Sequence, residues 1–353
     1  MMIGESDMKK KKTLLWVLIG LILIAAIGVG LFFGIKKLND KKDTTDEKIV
    51  EKKKDKEEEE EEEEATPLLY KVTKDGSNNV IYLFGSIHVA DNRAYPMREE
   101  IEKAYEDSDY LAVEFDLVAY AKDINKQTED LKMLVYDNGD TVADHLSKET
   151  YDLVVDYLTK NKLYNKVYDM YKPALFYSLV TQVSTTKSGL DANKGIDMYF
   201  LNKAHNDGKS ILEIESSSYQ YALLASFSDK LYDILLTSLI SAEKISTASL
   251  KNLYEAWLEG NEEKIAENVN SDEVDTSLLE NLGYADVASE LNTFSKKLIN
   301  ERNAEMFKKV EEYFKDNKKT LVVVGAGHIV GDTGLAKNFK EKGYKVELIE
   351  YEK

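Results

Sequence analysis

The chain has 353 residues, 43% of them hydrophobic, which is enough for one large domain or two smaller ones around a buried core. Its net charge of -18 makes nucleic acid an unfavourable partner, because an acidic surface repels the phosphate backbone. The sequence contains no cysteine, which excludes disulfide bonds, cysteine-ligated zinc and thiol nucleophiles.

The N-terminal region is typical of a membrane anchor. After a short tail, residues 1–12, the stretch 13–35 is uncharged and mostly apolar. As a helix it would span about 30 Å, the thickness of bilayer hydrocarbon. It is longer than the apolar core of a signal peptide and lacks a small-residue cleavage pattern. Lysines flank it on both sides, but the short tail favours a cytoplasmic N-terminus. We therefore expect a single-pass cell-membrane protein with an extracellular domain.

Residues 36–66 are predicted to form a charged, disordered stalk. They are rich in Lys, Asp and Glu and contain eight consecutive glutamates, residues 57–64. A segment of this composition has almost no apolar surface to bury, and its like charges repel each other. We interpret the stalk as a spacer between the membrane and a domain over residues 67–353.

The start of that domain has a strand–helix–strand pattern. Residues 68–86 predict two strands joined by a turn, because the polar sequence DGSNN separates two apolar runs. Residues 97–109 have helical spacing, and residues 110–116 form a short apolar run suited to a buried strand. This order predicts a crossover unit with parallel strands.

The rest of the domain is predicted to be largely helical until its final segment. The stretch 118–208 is mostly helical in pattern, and residues 195–209 predict one helix that Asn206, Asp207 and Gly208 close. Residues 210–216 predict a strand, and 217–315 are again helical. Residues 318–350 predict a strand, a loop, a helix and a last strand. The fold class is therefore α/β, with a central sheet, flanking helices and a large helical insertion.

Two of the four histidines occupy the same local frame. GSIH at residues 85–88 and GAGH at residues 325–328 each follow an apolar run. In open α/β sheets, ligands bind beyond the carboxyl ends of the strands, and a glycine there allows a sharp exit. If the two strands are neighbours, His88 and His328 converge. Two imidazoles with a carboxylate are a common ligand set for a divalent transition metal.

Four acidic residues are candidates for that carboxylate. They lie within or at the ends of short apolar runs, where an unpaired charge is costly: Glu114, Asp116, Glu213 and Glu215. Strand alternation places Glu114 with Asp116 on one face, and Glu213 with Glu215 likewise. Glu114 is the preferred candidate. The alternative for any one of them is an exposed strand end.

The other histidines and the arginines carry weaker signals. His145 is expected at a helix start or in a loop, and His205 in a last helical turn, where a cation is favourable. Both are interpreted as having a structural or surface role. Only three of the 47 basic residues are arginines, namely Arg93, Arg98 and Arg302, and a planar guanidinium fork suits an anion site.

Jointly these motifs resemble the TraB/GumN family, which is related to the Tiki membrane proteases. The matching segments are GSIH (85–88), VEFD (113–116), the Gly-Ile-Asp block (195–216), ERNAEM (301–306) and GAGH (325–328). They occur in the family's order along the whole predicted domain. The anchor departs from the pattern, since Tiki-type members usually carry a membrane segment after the domain or rely on a signal peptide.

The resemblance implies an α/β fold with an internal pseudo-repeat that carries the two Gly-x-x-His motifs. It also implies a metal-dependent peptidase activity with a manganese- or cobalt-type ion, and it links bacterial members to the shutdown of peptide pheromones. By position, His88 and His328 correspond to the family's histidines, Glu114 to its essential acid, and Arg302 to the arginine before the second motif.

The favoured hypothesis is a metal-dependent hydrolase. His88, His328 and Glu114 would hold a divalent cation (Mn, Co or Zn) that makes a bound water acidic. Glu215 or Asp116 would accept the proton, and Arg302 would stabilise an oxyanion or a substrate carboxylate. The substrate would be an extracellular peptide or protein terminus. The alternatives are a protein that sequesters a peptide pheromone without cleaving it and a haem- or metal-handling surface protein.

Overall fold

The computed structural model describes residues 64–269, 279–280, 284–316 and 318–352. The predicted tail, the predicted membrane helix and the predicted stalk up to residue 63 lie outside the described residues. None of the helices in the described part has the length and apolar character that a membrane span requires. Near the first described residue, the backbone N–H of Thr66 donates to the carbonyl of Leu258 at 2.7 Å.

The described residues form one mixed sheet of six strands, in the order β4–β3–β5–β2–β1–β6. Strands β4, β3, β5 and β2 are parallel, and β1 is antiparallel to both β2 and β6. The strands are β1 (Leu69–Thr73), β2 (Ile81–Ser86), β3 (Tyr110–Val113), β4 (Ser210–Glu213), β5 (Thr320–Gly325) and β6 (Lys345–Leu348).

The two longest apolar runs form the central strands of the sheet, β2 and β5. Every residue of β2 and β5 is buried, as expected for parallel strands covered on both faces. The edge strands β4 and β6 are partly exposed. The predicted hairpin of β1 and β2 is confirmed. The predicted crossover also joins parallel strands, but β5 from the far end of the chain lies between β2 and β3.

Helices cover the sheet and build the large predicted helical parts. The first group is α1 (Glu99–Asp107), α2 (Leu117–Tyr120), α3 (Ile124–Lys132), α4 (Val142–His145), α5 (Lys148–Lys160), α6 (Pro173–Ser188) and α7 (Ile196–Asp207). The second group is α8 (Ser217–Ala225), α9 (Asp229–Ser241), α10 (Glu243–Leu258), α11 (Glu262–Val269), α12 (Ala285–Lys296), α13 (Arg302–Lys315), α14 (Ala326–Ile329) and α15 (Leu335–Glu341).

Two local features matter for the site. Helix α7 ends where the sequence predicts it, because Gly208 adopts a left-handed conformation with φ of 69°. A π-helical turn, Lys297–Glu301, joins α12 to α13 directly before Arg302. Such turns insert an extra residue and often occur at functional sites.

Strands β3 and β4 are shorter than the sequence predicts. They end at Val113 and Glu213, so Glu114, Asp116 and Glu215 lie beyond the strands. Strand alternation therefore does not control their directions, and the prediction that each acidic pair shares a face is wrong. Asp116 instead turns back to cap α2, accepting hydrogen bonds from the backbone N–H groups of Val118 and Ala119.

Candidate functional site

The two Gly-x-x-His frames lie side by side. Strands β2 and β5 are parallel neighbours, and Ser86 is paired with Gly325. Their carboxyl ends therefore meet at one edge of the sheet, which confirms the expectation that both histidines reach the same edge. His328 lies in the short helix α14 rather than in the predicted loop.

Asp197 orients His88. Its Oδ2 lies 2.8 Å from Nδ1 of the imidazole, and its Oδ1 accepts a hydrogen bond from the Ser86 hydroxyl at 2.8 Å. Asp197 comes from the first turn of α7, which starts against the first frame. A Cβ at Gly195 would lie 2.3 Å from the carbonyl oxygen of His88, so only glycine permits this approach. Sequence reasoning did not single out Asp197, although it is the acid of the Gly-Ile-Asp block.

Asn303 orients His328. The imidazole Nδ1 lies 2.6 Å from Oδ1 of Asn303, and both side chains are buried. Asn303 lies in the first turn of α13, one residue after Arg302. It was also not singled out, although its place beside Arg302 in the ERNAEM segment was the available signal. In both histidines, therefore, Nδ1 is engaged and Nε2 is left for other contacts.

Glu114 reaches the second frame from the end of β3. Its Oε1 accepts a hydrogen bond from the backbone N–H of Gly325 at 3.1 Å and lies 3.8 Å from Nε2 of His328. Its Oε2 accepts from Nη2 of Arg302 at 2.6 Å. The carboxylate is thus held on one oxygen by a backbone donor and on the other by a buried cation.

Arg302 joins two carboxylates behind the histidines. It donates from Nε and Nη2 to Glu215, both at 2.8 Å, in addition to its bond to Glu114. Nη1 donates to the carbonyl of Leu298 at 3.2 Å. Gln220 donates to both Glu114 and Glu215 at 3.0 Å. Because Arg302 is buried, its guanidinium contacts these carboxylates rather than solvent.

The candidate ligand atoms surround one small space beside Gly325. A Cβ added to this glycine would lie 3.5 Å from Oε1 of Glu114 and 3.8 Å from Nε2 of His88. It would also lie 3.7 Å from Cδ2 of His328. The absence of a side chain at Gly325 therefore leaves room between an oxygen and two imidazoles, whose residues follow three different strands.

The two imidazoles are in opposite electrostatic environments. Burial lowers the pKa of His88, but the charge and hydrogen bond of Asp197 outweigh it and raise that pKa to about 9. Burial and the positive charge of Arg302 lower the pKa of His328 to about 3. Burial opposes ionisation of Glu114, yet Arg302 and the histidines hold its pKa well below the ordinary value. Near neutral pH, His88 is therefore cationic and His328 is neutral.

The donor set of two imidazoles and one carboxylate fits a divalent cation. Among the described residues, no group of three or more His, Asp or Glu side chains is already arranged as metal ligands. Metal–ligand distances are about 2.0–2.2 Å, so two atoms up to about 4 Å apart can share one ion. The 3.8 Å between Glu114 and His328 satisfies this limit. Metal-binding histidines also typically use their other nitrogen on a carboxylate or carbonyl, as both do here.

The other acids and histidines considered in the sequence form hydrogen bonds and ion pairs outside this group. Asp116 accepts from Nε2 of His205 at 2.8 Å, and Glu213 accepts from the Asp116 backbone N–H at 2.8 Å. His145 pairs with Asp140 and Asp229. These contacts leave Glu215, rather than Asp116, as the second acid beside Glu114.

The two other arginines form ion pairs of their own. Arg93 pairs with Asp91 and Glu255, and Arg98 with Glu64. Arg302 is thus the arginine that contacts the acids of the candidate site.

The family model described as TraB/PrgY/gumN family matches residues 68–348, which confirms the resemblance inferred from the motifs. No curated protein and no solved structure matches the chain.

Proposed function

Since the chain belongs to the TraB/PrgY/gumN family, we propose that it is a membrane-anchored, metal-dependent hydrolase, specifically a peptidase that acts on an extracellular peptide or protein terminus. The observation that carries this proposal is the grouping of His88, His328 and Glu114 around the space beside Gly325. The nitrogen and oxygen donors suit Mn, Co or Zn.

Each side chain has a role that follows from its contacts. Nε2 of His88, Nε2 of His328 and Oε1 of Glu114 would hold the cation. A divalent cation there supplies Lewis acidity toward the carbonyl group of a peptide bond. Asp197 and Asn303 hold the two imidazoles in place through Nδ1.

Behind these ligands, Arg302 pairs with both Glu114 and Glu215. Glu215 is the second acid and the candidate proton acceptor. The guanidinium is already bound by two carboxylates, so we assign it to organising them rather than to a substrate carboxylate.

The place of action follows from the proposed anchor. Residues 13–35 would hold the protein in the cell membrane, and the charged segment 36–63 would separate the domain from the bilayer. With the domain outside, a peptide signal near the membrane surface is a suitable substrate.

One observation favours a second candidate, a protein that binds a peptide without cleaving it. Both oxygens of Glu114 already accept hydrogen bonds from the protein, and no described group of three acidic or imidazole side chains is assembled for a metal. A site that stays in this state would hold a peptide but would lack Lewis acidity.

Cleavage of a peptide library separates the two candidates. The full chain in detergent, supplied with Mn²⁺, Co²⁺ or Zn²⁺, is incubated with the library and the products are read by mass spectrometry. We expect metal-dependent cleavage that His88→Ala abolishes and His145→Ala retains, since His145 lies in a separate ion-pair cluster. Intact peptides that co-purify with the wild-type protein would support sequestration and overturn the peptidase proposal.

A further inference from the structure

A chain of three polar side chains lies behind His328, on the side away from Glu114. Asn303 contacts Nδ1 of the imidazole through Oδ1 at 2.6 Å. Nδ2 of the same amide donates to the hydroxyl of Thr333 at 3.2 Å. That hydroxyl donates to Oδ1 of Asn300 at 3.1 Å. The chain therefore connects the π-helical turn to the second Gly-x-x-His frame.

The order of donors in this chain fixes where the proton of His328 sits. A threonine hydroxyl has one proton, and here it goes to Asn300, so the oxygen of Thr333 must accept from the amide of Asn303. The oxygen of that amide then faces the imidazole, and an amide oxygen only accepts. Nδ1 of His328 must therefore carry the proton, which leaves the lone pair on Nε2.

We propose that Thr333 and Asn300 are positioning residues that set the tautomer of His328 through Asn303. The opposite tautomer has an electrostatic advantage that the chain must overcome, because Nε2–H would point toward the Glu114 carboxylate, 3.8 Å away. In that tautomer Nε2 has no lone pair to offer a metal. The chain thus keeps the nitrogen that faces the site in its ligating form.

The partner of His88 explains why only His328 needs such a series of polar side chains behind it. His88 is backed by Asp197, and a carboxylate accepts whichever way it turns. Asn303 is an amide that presents either its oxygen or its N–H group, so something must fix its orientation. Thr333 supplies that constraint while its hydroxyl proton goes to Oδ1 of Asn300.

The backbone holds Thr333 in position. Asn338 donates from Nδ2 to the carbonyl of Thr333 at 2.8 Å. A Cβ at the next residue, Gly334, would lie 2.3 Å from the carbonyl oxygen of Val330, so this turn is closed tightly. Asn300 and Asn303 are three residues apart along one continuous helical path, which places both on the side that faces Thr333.

The test reads the tautomer directly, without metal or catalysis. Long-range ¹H–¹⁵N correlation spectra of the metal-free full chain in detergent distinguish Nδ1–H from Nε2–H, and His328→Gln identifies the signal. We expect Nδ1–H in wild type and in Thr333→Ser. Thr333→Val, which keeps the shape but lacks the hydroxyl, should shift His328 largely to Nε2–H. Persistence of Nδ1–H in Thr333→Val would overturn the inference.

A rescue variant separates orientation from loss of folding. In Thr333→Val combined with Asn303→Asp, the carboxylate must accept from Nδ1, so the Nδ1–H tautomer should return. Failure of this rescue in a variant that melts like wild type would also overturn the inference. If Thr333→Val does not fold, Thr333→Ala provides the same comparison.

The consequence for metal binding rests on the proposed function and is measured separately. We expect Thr333→Val to weaken Mn²⁺ or Zn²⁺ binding about tenfold or more, with Thr333→Ser close to wild type. If the wild-type protein binds neither ion, the proposed hydrolase function fails while the spectra still decide the tautomer. Equal affinities in a Thr333→Val variant that has switched tautomer would overturn the role in ligation.

Discussion

Ser86 is paired with Gly325 across β2 and β5, so the two Gly-x-x-His frames are offset by one residue rather than aligned. The sequence repeats the frame, but the structure uses it in two ways. After β2 the first frame stays outside any helix, whereas the second turns at once into helix α14. Each imidazole therefore reaches the space beside Gly325 along its own path and has its own partner behind it.

Gly325→Ala tests whether that space is the metal site. The added methyl would be at 3.5–3.8 Å from its nearest neighbours, which is ordinary van der Waals contact, and the glycine φ of −48° suits alanine. We expect the free energy of unfolding to change by about 1 kcal/mol or less. The metal-dependent rise in melting temperature should disappear, because the methyl would enter the space between the ligand atoms. An unchanged rise would locate the metal elsewhere.

Arg302→Met tests the buried charge cluster. Removal of the guanidinium leaves Glu114 and Glu215 together without a cation, and breaking such a buried pair costs about 3–5 kcal/mol. Adding Glu215→Gln should recover part of this loss. Urea unfolding measures both effects.

Arg93→Met is the matched control, because Arg93 also pairs with two acids but its side chain is 39% exposed. It should cost at most about 1 kcal/mol. Equal losses for the two arginine variants would show that burial does not determine the effect.

The pH dependence of stability should have a maximum near the ordinary histidine pKa. The pKa of His88 is raised to about 9, so its stabilising contribution is complete below about 6.5 and is lost as pH rises through 9. The pKa of His328 is lowered to about 3, so the unfolded chain binds the extra proton below about 6.5 and stability falls toward acid.

Urea unfolding of the metal-free protein between pH 4 and 10 would show both limbs. Each limb should be on the order of 3 kcal/mol. His88→Gln should flatten the alkaline limb and leave most of the acidic one, because burial and Arg302 still lower the pKa of His328. A wild-type profile that rises steadily from pH 6.5 to 9 would contradict the assignment.

Metal binding should release one proton from His88 near neutral pH. A ligating imidazole must lose its proton, and His88 holds one up to about pH 9 whereas His328 is already neutral. The apparent affinity for Mn²⁺ should therefore rise about tenfold per pH unit from pH 7 to 8.5. Calorimetry in buffers of different ionisation enthalpy counts the proton. In Asp197→Asn the pH dependence should shrink, because the largest influence that opposes burial of His88 is then removed.

Local sequence patterns determine several strands, a helix end and the candidate site residues of this protein. The buried runs that became β2 and β5, the helix closed at Gly208, and the choice of His88, His328, Glu114 and Arg302 all follow from the sequence. Periodicity, turn chemistry and the expense of burying a charge act over a few residues, so they can be deduced without the fold. The repeated frame was visible for the same reason.

The tertiary structure decided which distant residues meet. Insertion of β5 between β2 and β3 brought the second frame beside the first and Glu114 beside both. The early end of β3 separated Glu114 from Asp116, which spacing alone had placed together. Asp197 and Asn303 acquired their roles only through contacts with residues far away in the chain. Strand order and the partner of a buried polar group depend on long-range packing, for which one sequence contains no local signal.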